Sequence, residues 1–354
     1  MTIAASASGA SLPLADADAL WEMETLSDSR GRHALVAHGA VTQGIALSGS
    51  EREESLRRGG NGMAAHLDGG YLALKHDEAL QLNPEEWTLS IRLRDPDGRW
   101  QGPILGSYGS DRNVSVALRA VDGPSVAAAN RPGPASIHEW LFRPDGPRSV
   151  HGHNALLEAV WGAEKPNDAR LERLPRTPDG DAPSRSLAAD IRNAVMRTCF
   201  PIALIDPAAW HDVTLCFTGP KLQLWIDGVL VDEEFPIGVS RARTLPFLIG
   251  AGHEDGALET GFRGLVDYAA VWNRALTPEE IVALAGGVDA ARKREQAILG
   301  AESPSVQYFR PRGHNRKAGD CIPYWDAETE TFRLFYLILR RNHHSKWDRG
   351  HGGL

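Results

Sequence analysis

The chain has 354 residues, with 38 Lys or Arg against 46 Asp or Glu, so its formal charge at pH 7 is −8. This acidic balance excludes a generally basic nucleic-acid-binding protein. Hydrophobic residues make up 42% and charged residues 24%, which is typical of a globular protein with a real core. The 36 glycines and 22 prolines favour strands and turns over helices.

The cysteines and the N-terminus indicate the compartment. Cys199, Cys216 and Cys321 are too few and too scattered for a disulfide framework, and they form no C-x-x-C pair for zinc. The first twenty residues lack the charged start and the apolar stretch of a signal peptide. No apolar run approaches the roughly 18 residues of a membrane span. We therefore expect free thiols and a cytoplasmic protein with no membrane or nucleic-acid partner.

Residues 1–19 are rich in small side chains, and we expect a flexible leader there. From Leu20 onward, short apolar segments alternate with turn sequences about every ten residues, which is typical of an antiparallel sandwich. The predicted fold class is all-β, a two-sheet jelly-roll sandwich over residues 20–285. The predicted strands are 64–67, 71–74, 87–93, 104–108, 114–121, 211–217, 222–226, 229–235, 247–249 and 262–272.

An Asp-Gly turn at 227–228 predicts a hairpin. In the strand before it, apolar side chains alternate with Gln223 and Trp225, so these two lie on the opposite face from the sandwich core. Trp225 either stacks on a carbohydrate there or is buried beneath residues 124–200. Trp87, Trp210 and Trp272 are predicted core residues.

Residues 124–200 interrupt the strand pattern with a polar stretch rich in proline and glycine. Leu187, Ile191 and Val195 follow one another at intervals of four, which predicts a helix over 187–196. We interpret the whole stretch as a long insertion of loops and helix between strands. Insertions of this length either shape a binding face or form a long loop on the surface.

The end of the sandwich carries a helix signature. Thr277 is a predicted N-cap, Pro278 takes the first helical position and Glu280 completes a capping box. The glycines at 286–287 end the helix. A charged linker helix follows over 286–304, and residues 305–354 form a separate unit rich in aromatic and basic side chains.

Five segments together resemble a laminin-G-like, concanavalin A-like jelly-roll domain: 70–74 (GYLAL), 87–92 (WTLSIR), 210–213 (WHDV), 224–228 (LWIDG) and 271–281 (VWNRALTPEEI). The resemblance covers about residues 20–285, apart from the insertion. It implies a concave face or rim loops that hold a carbohydrate or a calcium ion. Asp68, Asp227 and Asp255 offer oxygen ligands for calcium, and turn formation is their alternative role.

The tail resembles the opening of a glycoside hydrolase family 32 five-bladed β-propeller, through segments 310–315, 318–324, 332–337 and 344–352. That family cleaves fructosides, and Asp320 occupies the position of its nucleophile. The chain departs from the family motif at Gly319, where the family has Asn, and at 321–323, where Cys-Ile-Pro replaces Pro-Asn-Gly. The resemblance makes Asp320 the candidate catalytic residue. Its alternative role is to cap a turn.

Asn315, Trp347 and His351 are the candidate substrate-binding residues, through stacking and hydrogen bonding to a sugar. Their alternative is a place on the surface of a half-formed blade. His343 and His344, taken with His351, have a spacing that fits no defined metal geometry, so we predict no metal site there.

A retaining glycosidase needs two carboxyl groups roughly 5 to 5.5 Å apart. With roughly 40 to 50 residues per propeller blade, residues 305–354 build about one blade, and the second carboxyl lies outside this chain. We therefore expect the N-terminal portion of a family 32-like enzyme, inactive as this fragment, with carbohydrate as its partner and a fructoside as the expected sugar. The alternatives are a carbohydrate-binding sandwich without catalysis and a scaffold that binds nothing.

Overall fold

The computed structural model describes residues 13–75, 80–98, 100–110, 113–122, 155–165, 195–202, 205–219, 221–234, 239–240, 246–254, 257–299 and 316–340. The described chain is mostly antiparallel β-structure with few helices, and the predicted all-β sandwich is confirmed. The strands in chain order are β1 (Ala19–Trp21), β2 (Leu35–His38), β3 (Val41–Ala46), β4 (Met63–Asp68), β5 (Tyr71–Leu74), β6 (Trp87–Arg94), β7 (Gly102–Ser110), β8 (Asn113–Asp122), β9 (Ala155–Lys165), β10 (Val195–Pro201), β11 (His211–Phe217), β12 (Leu222–Ile226), β13 (Val229–Glu234), β14 (Val239–Ser240), β15 (Leu248–Ile249), β16 (Ala251–Glu254), β17 (Ala257–Thr260), β18 (Arg263–Trp272), β19 (Arg316–Asp326) and β20 (Thr331–Arg340).

Two large sheets form the sandwich. The first sheet has the order β13-β12-β11-β6-β18-β4-β3, with β1 paired to β18. The second sheet has the order β10-β9-β8-β7-β15-β5-β2, with β14 paired to β9. The predicted hairpin between β12 and β13 is present, and Asp227 and Gly228 in its turn have φ values of +49° and +77°. These angles are those of the turn that matches strand twist, which is why Asp-Gly is favoured there.

The main core lies between the two sheets. Alternate side chains of β6 and β11 in the first sheet meet those of β5, β8 and β9 in the second. Trp21, Trp87 and Trp161 are fully buried in it. Trp210 differs from the prediction, because it is only partly buried and its ring lies 5.4 and 5.1 Å from the guanidinium carbons of Arg92 and Arg94.

A second apolar cluster covers the outer face of the first sheet. It joins Trp225 and Trp272 to Leu14 and to the helix α2 (Pro278–Leu284). Trp225 is 4% exposed, so it is not a free stacking surface. The described residues packed on this side belong to the N-terminal segment and to α2. Most of residues 124–200 lie outside the described part, so their cover of Trp225 stays a prediction.

Residues 13–19 of the predicted flexible leader have a defined structure. Pro13–Asp16 form a 3₁₀ helix, and Leu14 is 1% exposed. Ala19 begins β1, which pairs with β18. Trp272 Nε1 donates a hydrogen bond to the Pro13 carbonyl at 3.1 Å. Apolar burial therefore fixes residues 13–19, and residues 1–12 lie outside the described part.

The predicted insertion contributes strands to the second sheet. Strand β9 falls within the predicted insertion, residues 124–200, and β10 begins in it and ends at Pro201. The two strands pair with each other in antiparallel register. Val195 and Met196, which the spacing assigns to a helix, are the first residues of β10, and they pair with Gly162 and Trp161 of β9. Pairing with an existing sheet edge outweighs the helical spacing. The remainder of the predicted helix, 187–194, lies outside the described residues.

Three α-helices are described. Helix α1 (Gly49–Arg57) lies between β3 and β4, and α2 begins with the predicted capping box. Glu280 N donates to Thr277 Oγ1 at 3.2 Å, and Thr277 N donates to Glu280 Oε2 at 2.7 Å. Helix α3 (Val288–Leu299) lies within the predicted linker helix. None of these helices has the length and hydropathy that a membrane-spanning helix requires.

In the tail, β19 and β20 pair with each other as a separate two-stranded sheet. Their register shifts between Gly319 and Ile322, and Glu330 in the turn has a φ of +49°. The described part of the tail, residues 316–340, is therefore a long hairpin, in agreement with the predicted short β segment.

Candidate functional site

The outer face of the first sheet carries a buried group of charged side chains. Arg92 Nη1 donates to Asp212 Oδ2 at 2.9 Å, and Arg92 Nε lies 3.1 Å from Asp267 Oδ2. The Tyr268 hydroxyl donates to Asp212 Oδ1 at 2.9 Å. The side chains of Arg92, Asp212 and Asp267 are 1%, 2% and 1% exposed. We call these four residues, together with Arg58, the arginine–carboxylate cluster.

Strand alternation and one irregularity build this cluster. In β6, the apolar side chains that enter the core alternate with polar ones, so Arg92 lies on the outer face. Asp212 lies directly opposite Arg92 in the β6–β11 register. The register of β18 against β6 shifts between Val266 and Tyr268. Because of this irregularity, the side chains of two successive residues, Asp267 and Tyr268, both belong to the cluster.

Helix α1 closes the cluster from outside. Its contacts are Glu54 Oε2 with Arg92 Nη2 at 2.8 Å, Ser55 Oγ with Asp267 Oδ1 at 2.9 Å, and Arg58, directly after the helix, with Asp212. Ser55 is the buried residue of α1, while Leu56 is 42% exposed. Helix α1 is therefore held on the sheet largely by ion pairs and hydrogen bonds.

Burial and mutual charge shift the pKa values within the cluster. Burial raises the pKa of Asp267 to about 6, against the opposing effects of Arg92 and the Ser55 hydrogen bond. Burial also raises the pKa of Tyr268 well above its usual range, and the nearby Asp212 adds to this effect. Burial by itself would lower the pKa of Arg92, but Asp212 and Asp267 raise it overall. Arg92 therefore stays charged, and the pKa of Asp267 lies about two units above that of an exposed aspartate.

The cluster has the chemistry of a structural ion-pair network. A glycosidase carboxyl pair must face the sugar across an open cleft. Asp212 and Asp267 instead face Arg92 and Arg58 beneath α1, with almost no exposure to solvent. Neither carboxylate can reach a glycosidic oxygen in this arrangement.

Two of the three predicted calcium ligands, Asp227 and Asp68, already lie beside basic side chains. Asp227 Oδ2 lies 2.8 Å from His211 Nδ1 and 2.6 Å from Arg294 Nε. Burial opposes ionisation of Asp227, but His211 and Arg294 lower its pKa overall. Asp68 lies 3.7 Å from Arg263, and Asp255 lies outside the described residues. Within the described ranges, no group of three His, Cys, Asp or Glu side chains is arranged to hold a metal ion.

The predicted free thiol is observed at Cys216, which is buried. Burial raises its pKa to about 11, against the hydrogen bond from Thr88. The thiol is therefore an inert core group. The side chains of Cys199 and Cys321 lie outside the described part.

An open cleft of about 170 Å³ lies between the loop after β1 and the end of β5. Asp28, Arg32, His33 and Lys75 line it. The described lining of this cleft shares no residue with the arginine–carboxylate cluster.

The tail residues predicted to act on a sugar are only partly described. Asp320 lies in β19, within the register shift of the hairpin, and its side chain is outside the described part. Asn315, Trp347 and His351 lie outside the described residues, so their roles stay predictions. Beyond Asp320, β19 presents Ile322, Tyr324 and Trp325 to solvent at 64%, 53% and 55% exposure.

A family model matches part of the sandwich. Residues 200–282 match the concanavalin A-like lectin/glucanases superfamily. The match runs from the last residues of β10 through β11, β12 and β18 into α2. It covers the strands that supply Asp212 and Asp267, and it supports the concanavalin A-like jelly roll inferred above. No curated protein matches the chain.

Solved structures with a similar chain trace include domain 4 of AbnA, a GH43 extracellular arabinanase from Geobacillus stearothermophilus, in complex with arabinotriose. The TM-score is 0.42 at 14% identity, covering 75% of this chain and 97% of that domain. The ligand binding domain of botulinum neurotoxin serotype D, in complex with N-acetylneuraminic acid, has a TM-score of 0.43 at 10% identity. The match covers 76% of this chain and 50% of that chain. The botulinum neurotoxin type G receptor binding domain has a TM-score of 0.42 at 9% identity, and the match covers 76% of this chain and 51% of that chain. This chain thus spans about half the length of the toxin domains.

Sequence reasoning missed both the arginine–carboxylate cluster and the cleft. The sequence did contain a signal for the arginine–carboxylate cluster. Arg92 lies in a strand whose apolar residues alternate strictly, and a charged side chain buried in a central strand requires a partner. The cleft had no comparable signal, because Lys75 and residues 27–34 are brought together only by the pairing of β2 with β5.

Proposed function

We propose that the concanavalin A-like sandwich is a carbohydrate-binding module. The observation that carries this proposal is the match of residues 200–282 to a superfamily of lectins and glucanases. That superfamily includes both sugar-binding and sugar-cleaving proteins, so the state of the carboxylates decides between them. Asp212 and Asp267 are neutralised by arginines and closed to solvent, which favours binding over cleavage in the sandwich.

For the tail, we propose the start of a family 32-like propeller with Asp320 at the nucleophile position. The β19–β20 hairpin, which carries Asp320 in its first strand, is compatible with two adjacent strands of one blade. A single carboxylate cannot perform the two-carboxyl chemistry of a retaining enzyme. This chain by itself is therefore proposed to bind sugar without hydrolysing it.

The binding proposal is tested by titrating the full chain with neutral and acidic monosaccharides and with fructans in a calorimeter. We expect saturable binding of at least one sugar at or below millimolar concentration. If no sugar binds at that level, the scaffold alternative replaces the binding module.

The catalytic part has its own test. We expect no release of fructose from sucrose, inulin or levan by this chain. Turnover that an Asp320→Asn change abolishes, while an Asp326→Asn change in the same hairpin leaves it intact, would overturn the proposal of inactivity.

A further inference from the structure

The buried carboxylate of Asp28 holds the loop that forms one wall of the cleft at the end of β5. Asp28 Oδ1 accepts hydrogen bonds from the backbone N–H groups of Leu20 at 3.0 Å and Arg30 at 2.8 Å. Its Oδ2 accepts from the N–H groups of Arg32 at 3.1 Å and His33 at 3.3 Å. Asp28 is 3% exposed. Its charge is therefore engaged by four backbone dipoles, which fix the loop that forms the cleft wall.

The opposite wall is fixed by strand pairing. Lys75 directly follows β5, and its backbone N–H donates to the Ala34 carbonyl at 2.8 Å. Ser27 and Ala34 form an isolated bridge that closes the loop. Lys75 is thereby held beside the loop that carries Arg32, although the two residues are distant in sequence.

The lining of the cleft combines two exposed cations, Arg32 and Lys75, with the buried carboxylate of Asp28. The Arg32 and Lys75 side chains are exposed, and neither forms an ion pair within the described ranges. Arg30 in the same loop differs, because its guanidinium contacts the carbonyls of Ala15 and Ala17. A free pair of cations beside a cleft is notable in a chain whose formal charge is −8.

An imidazole side chain also lines the cleft, beside the two cations. His33 lines the cleft, and its Nδ1 is buried without a hydrogen-bond partner in the protein. The His33 carbonyl accepts from Trp21 Nε1 at 2.8 Å, which holds the residue against the core. Because Nδ1 has almost no accessible surface, His33 forms part of the cleft wall, and the exposed side chains of Arg32 and Lys75 are the groups that a ligand can contact.

We propose that this cleft binds the carboxylate of an acidic sugar, an inference that rests on the proposed carbohydrate binding of the sandwich. The guanidinium of Arg32 matches a carboxylate with two parallel donors, and the Lys75 ammonium adds a point charge. The cleft volume of about 170 Å³ is below the roughly 300 to 1,000 Å³ of sites for larger ligands. It therefore suits a single acidic monosaccharide unit at the end of a glycan.

The inference is tested by calorimetric titration of the full chain with D-glucuronate, D-glucose and acetate at low ionic strength. We expect glucuronate to bind more tightly than either glucose or acetate. Removing one charged hydrogen-bond donor costs about 1.5 kcal/mol or more, so Arg32→Ala and Lys75→Ala should each weaken glucuronate binding at least about tenfold. Raising the salt concentration should also weaken it, because the contacting charges are exposed.

The matched controls are Arg292→Ala and Lys293→Ala, which remove the same side chains from exposed positions of α3. They should leave glucuronate binding unchanged. The thermal unfolding midpoint should be unchanged in all four variants, since every altered side chain is exposed.

The outcomes separate the two proposals. Glucose binding as tight as glucuronate binding, or glucuronate binding that Arg32→Ala and Lys75→Ala do not weaken, overturns the acidic-sugar cleft and leaves the binding module intact. Acetate binding as tight as glucuronate binding overturns the sugar part of the inference. If neither glucose, glucuronate nor fructans bind, both the inference and the proposed function fail.

Discussion

Arg92 and Asp212 lie directly opposite one another on strands β6 and β11, and their side chains form an ion pair of 2.9 Å on the outer face of the sheet. They are 120 positions apart in the sequence, and their side chains are 1% and 2% exposed. A cross-strand pair buried to this degree ties the two halves of the sheet together. It also makes each partner dependent on the other, because a buried charge without a counter-charge is strongly destabilising.

Replacing Arg92 with methionine tests this dependence. The change leaves Asp212 and Asp267 without their shared cation, and we expect it to lower the free energy of unfolding by about 3 to 5 kcal/mol. Urea denaturation measures the loss, and Arg292→Met on the surface of α3 should change the value by less than about 0.5 kcal/mol. A loss below about 1 kcal/mol for Arg92→Met would contradict the dependence of Asp212 and Asp267 on Arg92 as their counter-charge.

Asp267 should give the sandwich a specific pH dependence. Its native pKa is about 6, whereas an unfolded aspartate titrates near 3.9. Between these values the native chain holds a proton that the unfolded chain has lost. The stabilising contribution of Asp267 is therefore fully present below about pH 4 and is lost as the pH rises through about 6.

The measurement compares wild type with Asp267→Asn by urea denaturation between about pH 4 and pH 7. The difference in the free energy of unfolding, wild type minus variant, should fall with rising pH by at most about 1.4 kcal/mol per unit. Asp227, whose lowered pKa acts in the opposite direction, is present in both proteins and cancels in the difference. A difference that stays constant across this range would mean that Asp267 is ionised throughout it.

Gly106 in β7 should tolerate no side chain. Its φ is +146°, and a Cβ there would lie 2.4 Å from the Val116 carbonyl oxygen of the neighbouring strand. We expect Gly106→Ala to destabilise the protein by more than about 3 kcal/mol, because the backbone of β8 must move. Gly98 is the control, since it has a φ of +71° but an open surrounding. Gly98→Ala should cost only about 1 to 2 kcal/mol, and equal losses in thermal unfolding would refute the steric argument.

The capping box of α2 should contribute a small amount to the free energy of unfolding. Thr277→Ala removes the oxygen that accepts from Glu280 N, and we expect a loss of about 1 kcal/mol in denaturant unfolding. Thr277→Ser keeps that oxygen and should retain most of the stability. Equal losses for alanine and serine would show that the Thr277 methyl group, rather than the cap, stabilises the helix end.

Local patterns in the sequence were sufficient for many elements. The strands at 71–74, 211–217 and 222–226 have the predicted bounds, because period-two alternation and turn residues act within a few positions. The capping box of α2 also depends on only four consecutive residues. These features determine which segments become strands and where one helix begins, so the sequence by itself determined the all-β class.

Tertiary structure decided the contacts between distant segments. Whether 155–165 and 195–201 join the second sheet, what covers Trp225, and how Arg92 meets Asp212 all depend on strand order and register. The cleft likewise exists only because β2 pairs with β5 and places Lys75 beside the loop of Asp28. The physical reason is that these energies come from burial and charge pairing across long sequence separations, and a local pattern of residue types does not encode which partner it will meet.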